Sequence, residues 1–194
     1  MSKREIEREA TYEDLLRVPD EFIAELIDGD LFASPRPQGR HGRAMSILSG
    51  VLVNPFDRGI GGPGGWWIMI EPEIHLGRNI FVPDLCGWRR ETLPEFPPGP
   101  FVEVPPDWVC EVASPRTARL DRIKKMPAYA RHDVPHVWII DPESRSLEVF
   151  RLNGEHYSLM DAYGGDDVAR VEPFDEIELR LTDFWIGSDP LHQQ

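Results

Sequence analysis

Two acids set in apolar surroundings carry the clearest chemical potential in this sequence. Asp84 stands in Ile80-Phe81-Val82-Pro83-Asp84-Leu85, and Glu111 in Trp108-Val109-Cys110-Glu111-Val112-Ala113. A carboxylate inside an apolar strand is costly to bury without a partner, so each needs an explanation. Two such acids brought together by neighbouring strands repel each other. A divalent cation removes that repulsion while polarising a phosphoryl oxygen and activating water. Oxygen-only ligation with open positions suits Mg²⁺ or Mn²⁺. The alternative for each acid is an exposed strand face, or pairing with an arginine such as Arg89 or Arg90.

Other chemistries find less support. His132 and His136 are four apart, but Pro135 and a change from helix to strand between them break the geometry of a zinc pair. Ser114 and Thr117 have no histidine in a triad context, and Ser114 reads as a loop or helix-capping residue. The run GIGGPGG, 59–65, lacks the ending of a phosphate-binding loop and carries a proline where a dinucleotide-binding turn would enter a helix.

The elements that must position the acids can be read from period and punctuation. A short helix over Thr11 to Arg17 has Thr11 as N-cap and Asp14 in the capping-box position. Phe22 to Ile27 and Asp30 to Ser34 form a hairpin across Asp28-Gly29. Arg40 to Leu52 repeats apolar residues at Ala44, Ile47, Leu48, Val51 and Leu52, a helical spacing. Trp66 to Leu76 and Asn79 to Trp88 read as paired strands across Gly77-Arg78, and Trp108 to Ala113 as a short strand of a sheet centre. A helical stretch follows up to His132. On its wheel Leu120, Ile123, Pro127 and Ala130 form the buried face, with Lys124 and Lys125 both off it, although Pro127 disturbs the wheel. The strand His136 to Ile140 and a hairpin of Leu147 to Leu152 with His156 to Met160 across Asn153-Gly154 complete the pattern. The expected fold is α/β, a mixed central β-sheet flanked by helices.

The 194 residues are 41% hydrophobic, enough for one domain over 1–194 with a core of about 11–186. No apolar run approaches the roughly 18 residues that span a bilayer, and the start MSKREIEREA is charged, so a cytoplasmic protein with no membrane partner is expected. The two cysteines, Cys86 and Cys110, sit in apolar runs and read as core residues. A net charge of −13 argues against a protein that coats nucleic acid. The charge is uneven, however. Arg116, Arg119, Arg122, Lys124, Lys125 and Arg131 face a single interspersed acid, Asp121, while Arg36, Arg40, His41 and Arg43 form a second basic group. From Asp161 to Glu178 seven acids face Arg170 alone, which reads as a solvated acidic face.

Glu25 in AELIDGDL, Pro83-Asp84, Glu111 in CEVASPRT, Lys125 in DRIKKMPAYARHDVP and the following VWIIDPESRSLEVFRL resemble the motifs of the Uma-type endonucleases, a branch of the PD-(D/E)XK superfamily. The likeness runs from about Tyr12 to Trp185. It implies a restriction-endonuclease-like fold and metal-dependent hydrolysis of phosphodiester bonds. In the usual Glu-x-Lys arrangement a lysine follows Glu111 by two residues, but Ala113 stands there; the family's K-x-P-x-Y pattern points instead to Lys125. The resemblance thus implies catalytic roles for Glu25, Asp84, Glu111 and Lys125. Asp84, Glu111 and the Val112 carbonyl would hold Mg²⁺ or Mn²⁺. From the residues alone, Glu25 would be an exposed hairpin residue and Lys125 a solvated lysine.

If that site exists, the basic run beside it gains meaning. Arg116, Arg119 and Arg122 would bind flanking phosphates, with Arg40 as a further contact and His41 either contacting a phosphate or ordering the site. The expected partner is nucleic acid, DNA ahead of RNA, and the expected state a homodimer or higher homo-oligomer. The rival expectation is a catalytically degenerate nucleic-acid-binding or interaction protein of the same fold, consistent with the acidic charge.

Overall fold

The computed structural model describes residues 8–36, 39–115 and 117–187. Local signals set the first elements. Thr11 and Asp14 form a reciprocal capping box on α1 (Tyr12–Leu15), which satisfies two otherwise unpaired N–H groups. Strands β1 (Phe22–Ile27) and β2 (Asp30–Pro35) turn at Asp28-Gly29, whose φ angles of 53° and 85° are the positive pair that such a tight turn requires. Helix α2 (Arg40–Leu52) has the expected bounds and buries Ala44, Met45, Leu48 and Leu52.

The long hairpin expected next is divided between two sheets. Instead of two continuous strands there are four: β3 (Trp66–Ile70), β4 (Glu73–Leu76), β5 (Asn79–Phe81) and β6 (Leu85–Arg89). β4 pairs with β5, and β3 with β6. Pro72 and Pro83 flank the two breaks, and a proline has no N–H to give a strand ladder. Across the break the Glu71 N–H donates to the Asp84 carbonyl at 3.1 Å. Asp84 therefore lies at the bend just before β6, not within a strand. The bend frees its side chain from the alternation of either sheet.

The remaining strands are β7 (Phe101–Val102), β8 (Trp108–Val112), β9 (His136–Asp141), β10 (Ser146–Asn153), β11 (His156–Gly164), β12 (Val168–Ala169) and β13 (Leu179–Arg180). Among the described residues they form a five-stranded sheet in the order β2-β1-β5-β4-β7, a six-stranded sheet in the order β11-β10-β9-β8-β6-β3, and the pair β12-β13. β8 runs parallel to β9 and β4 parallel to β7, with the other pairs antiparallel, so both larger sheets are mixed. The β10-β11 turn centres on Gly154-Glu155, one residue later than Asn153-Gly154, because Asn153 pairs with His156.

The six-stranded sheet is the central layer. One face packs α2 and the chain from Ala169 to Trp185, around Trp108, Trp138 and Phe174. The other packs α4 (Met126–Arg131) and the five-stranded sheet, around Phe81, Val109, Tyr129 and Ile139. Alternation along β8 sends Trp108, Cys110 and Val112 to the first face and Val109 and Ala113 to the second, with Glu111 between them on the second. Both cysteines are buried and free. No helix among the described residues is long and apolar enough to cross a membrane.

The helix after β8 corrects the expected wheel. Between α3 (Ala118–Leu120) and α4 lies a π-helical turn, Asp121–Lys125, closed by the Met126 N–H on the Asp121 carbonyl. A proline ring clashes with the carbonyl four residues back and brings no N–H, so the wider turn ahead of Pro127 relieves that conflict. The extra residue rotates the register. Ile123, expected in the core, is 58% exposed, while Asp121, Lys125 and Tyr129 turn inward. A similar turn, Val53–Asp57, follows α2 around Pro55.

Candidate active site

Five parts of the fold converge on a cavity of about 410 Å³. β1 contributes Ile23 and Glu25, the bend before β6 contributes Asp84, and β8 contributes Glu111. The π-helical turn adds Asp121 and Lys125, and His41 reaches in from α2. Each acid arrives by a simple rule. Glu25 is on the inward face of β1 with Ile23 and Ile27, Glu111 on the inward face of β8, and Asp121 and Lys125 are one turn apart on the widened helix. Leu85 pairs with Cys110, which sets the Asp84 bend beside the end of β8.

The centre is the Lys125 ammonium, 3% exposed. Its Nζ lies 2.8 Å from Glu111 Oε1, 2.9 Å from Glu25 Oε1 and 4.0 Å from Asp121 Oδ1. The Tyr129 hydroxyl donates to Glu111 Oε1 at 2.7 Å, and the Val82 N–H donates to Glu25 Oε1 at 2.8 Å. Asp84 Oδ2 accepts the Val112 N–H at 2.7 Å and lies 3.3 Å from His41 Nε2. In a strand the N–H and C=O of one residue project to the same side, so the Val112 carbonyl also faces the Asp84 side of β8. His41 Nδ1 is buried without a hydrogen-bond partner.

Burial is the largest influence on Glu111 and holds its carboxyl well above the ordinary range. Lys125 opposes this only in part, and Asp121, Asp84 and Glu25 reinforce it. Burial likewise pushes Asp121 up to about 6, against Lys125 and with help from Glu25 and Asp84. Burial works against the Lys125 charge too, but Glu111, Glu25 and Asp121 outweigh it, so the ammonium is held well above its usual value. The two directions agree once the cluster is taken whole. Three carboxylates around one ammonium carry excess negative charge, so the lysine stays charged and the acids retain a proton or recruit a second cation.

That excess, with the Asp84 and Glu111 carboxylates both on the cavity wall, fits a Mg²⁺-like ion. Such an ion takes one or two carboxylates and completes its shell with water and substrate oxygens. Among the described residues no three Asp, Glu, His or Cys side chains converge as a ready-made metal cage, as that mode of binding requires none.

The other candidate residues scatter. Arg40 pairs with Glu143 at 2.9 Å on the surface, and Arg122 with Glu148 at 2.6 Å. Arg119 is exposed beside the cavity helix. Arg116 lies outside the described residues. His41, expected to contact a phosphate or to order the site, stands against Asp84 inside the cavity. Asp121 was not singled out in the sequence, and Tyr129 stood there only as the last residue of the K-x-P-x-Y pattern, with no role of its own. Their four-residue spacing around Lys125 was visible, but only a rotated helix turns it inward.

Comparison with known proteins matches this architecture. A putative nuclease belonging to DUF820 from Anabaena variabilis ATCC 29413 has a TM-score of 0.72 at 23% identity, covering 90% of this chain and 97% of that one, and so shares the fold. No curated protein matches the chain. The model of the Uma2 family, described as a putative restriction endonuclease, matches residues 10–182. That span takes in the cavity and every element that builds it: this chain belongs to the Uma2 family.

Proposed function

We propose that this chain is a metal-dependent endonuclease that hydrolyses phosphodiester bonds of nucleic acid, DNA ahead of RNA. Asp84, Glu111 and the Val112 carbonyl would hold Mg²⁺ or Mn²⁺. The observation that carries this reading is the buried Lys125 ammonium on the wall of an open cavity, in ion-pair contact with Glu111 and Glu25. An ammonium is costly to bury, and pairs of this kind are weak evidence for stability, so the cluster fits a chemical task better than a structural one.

The cation, when bound, polarises a phosphoryl oxygen and lowers the pKa of water. Lys125 orients the attacking water or stabilises the charge that grows on the phosphoryl oxygens. Tyr129 and the Val82 N–H fix the carboxylates that hold Lys125, which preorganises the charge before substrate arrives. Arg119 and Arg122 lie on the helical segment that carries Lys125 and contact flanking phosphates, a role proposed for Arg40 and Arg116 as well. We further propose that the chain acts as a single domain in a cytoplasmic homo-oligomer.

The test is a Mg²⁺ and Mn²⁺ titration with plasmid, single-stranded DNA and RNA. Cleavage is expected only with metal, together with a metal-dependent rise in Tm. Asp84→Asn keeps an acceptor for the Val112 N–H, so it is expected to fold while losing both cleavage and the metal response. Equal metal responses in wild type and Asp84→Asn would overturn the reading in favour of a degenerate binding protein.

A further inference from the structure

Glu25 is an acid in the cavity, and its simplest role would be as a third metal ligand. Its surroundings offer it a different one. One oxygen, Oε1, accepts the Val82 N–H at 2.8 Å and meets Lys125 Nζ at 2.9 Å. That oxygen is thus tied to the main chain after β5 and directed at the ammonium. Lys125 sits at nearly equal distances from Glu25 and Glu111, at 2.9 and 2.8 Å, with Asp121 farther off at 4.0 Å. Had it only Glu111 as a close partner, Lys125 would neutralise the very carboxylate a divalent cation needs, and would repel that cation at short range. A second close carboxylate gives the ammonium another place to rest.

We infer that Glu25 is a positioning residue that draws Lys125 off Glu111 so that Glu111 can take a divalent cation, without itself ligating that cation. The inference rests on the metal-dependent reading above and adds to it an internal competition. In this structure Lys125 is shared almost equally between Glu111 and Glu25. With a divalent cation on Glu111, Glu25 would hold the lysine, with Asp121 as a weaker second anchor. The lysine then stays beside the cavity and not on the ligand. The Asp121 spacing of 4.0 Å is too long for a hydrogen bond, which is why the larger share falls to Glu25.

The experiment is a double-mutant cycle read by Mn²⁺ affinity in calorimetry, on Glu25→Gln, Lys125→Met and the double variant, each checked for folding. Glutamine keeps the acceptor for the Val82 N–H but not the charge. With Lys125 present, Glu25→Gln is expected to weaken Mn²⁺ binding by at least about tenfold, the usual cost of losing a group that supports a ligand. In the Lys125→Met background the same change is expected to cost less than about threefold, because no cation remains to be redirected. Equal losses in both backgrounds, or no loss in either, overturn the inference while leaving the metal site intact. Absence of Mn²⁺ binding to the wild type overturns the proposed function and the inference with it. Should Lys125→Met not fold, a structure of the wild type with Mn²⁺ decides. Glu25 is expected in contact with Lys125 and outside the ligand distance of about 2.6 Å, and a Glu25 oxygen on the metal overturns the inference.

Discussion

At the scale of single residues, two adjacent lysines show how position decides meaning. Lys124 lies 3.3 Å from Asp30, with both side chains largely in solvent, where a pair contributes about 0 to 1 kcal/mol. Lys125 is buried among Glu25, Glu111 and Asp121, and its removal leaves three acids without their counter-charge. Lys125→Ala is therefore expected to cost about 3 to 5 kcal/mol at neutral pH, and Lys124→Ala less than about 1. Urea unfolding of both variants measures this. Similar losses would mean that solvent reaches the cluster and that the buried pairing is not what holds it. Nothing in the one-dimensional pattern separates the two: both are lysines on a helix, and only the K-x-P-x-Y likeness favoured Lys125.

At the scale of elements, the π-helical turn decides which side chains enter the cavity. Because it rotates Asp121 inward, Asp121 carries a raised folded pKa of about 6, first through burial and then through Glu25 and Asp84, against Lys125. A carboxyl raised in the folded state contributes stability that is complete below its unfolded pKa of roughly 4 and is lost as pH rises through about 6. Asp121→Asn is thus expected to be more stable than wild type at pH 8, by on the order of 2 kcal/mol, and no more stable at pH 3.5. Melts at the two pH values test this, and a variant less stable than wild type at pH 8 would show that the Lys125 contact outweighs burial. Elements with local signatures were legible in advance: the capping box at Thr11, the Asp28-Gly29 turn and the full length of α2 needed only nearby residues. The site acids Asp84 and Glu111 were legible as well, because a charge in an apolar run is conspicuous. What was not legible depended on backbone irregularity. The proline breaks that move Asp84 out of a strand and the extra residue in the helix both replace a regular period with one that no wheel describes.

At the scale of the whole molecule, the net charge of −13 is at odds with a phosphate-binding role unless the local cations are free to act. Most of those near the cavity are engaged in ion pairs: Arg36 with Glu71, Arg40 with Glu143, Arg122 with Glu148, and Arg131 with Asp28. Such pairs are weak when partly exposed, so exchanging an acid for a phosphate would be inexpensive, and the acids would set affinity by competing with the proposed substrate. Arg122 is the informative case, since it extends from the cavity helix and its partner Glu148 lies on β10, outside the site. Glu148→Gln is expected to leave stability within about 1 kcal/mol. It would tighten oligonucleotide binding and steepen the dependence of log affinity on log salt by about 0.9, the increment for one added phosphate contact. Binding is best measured in an Asp84→Asn background, where the strand stays intact. If the slope is unchanged, Arg122 does not reach phosphate, and the nucleic acid must approach over Arg119 and the α2 end of the cavity instead.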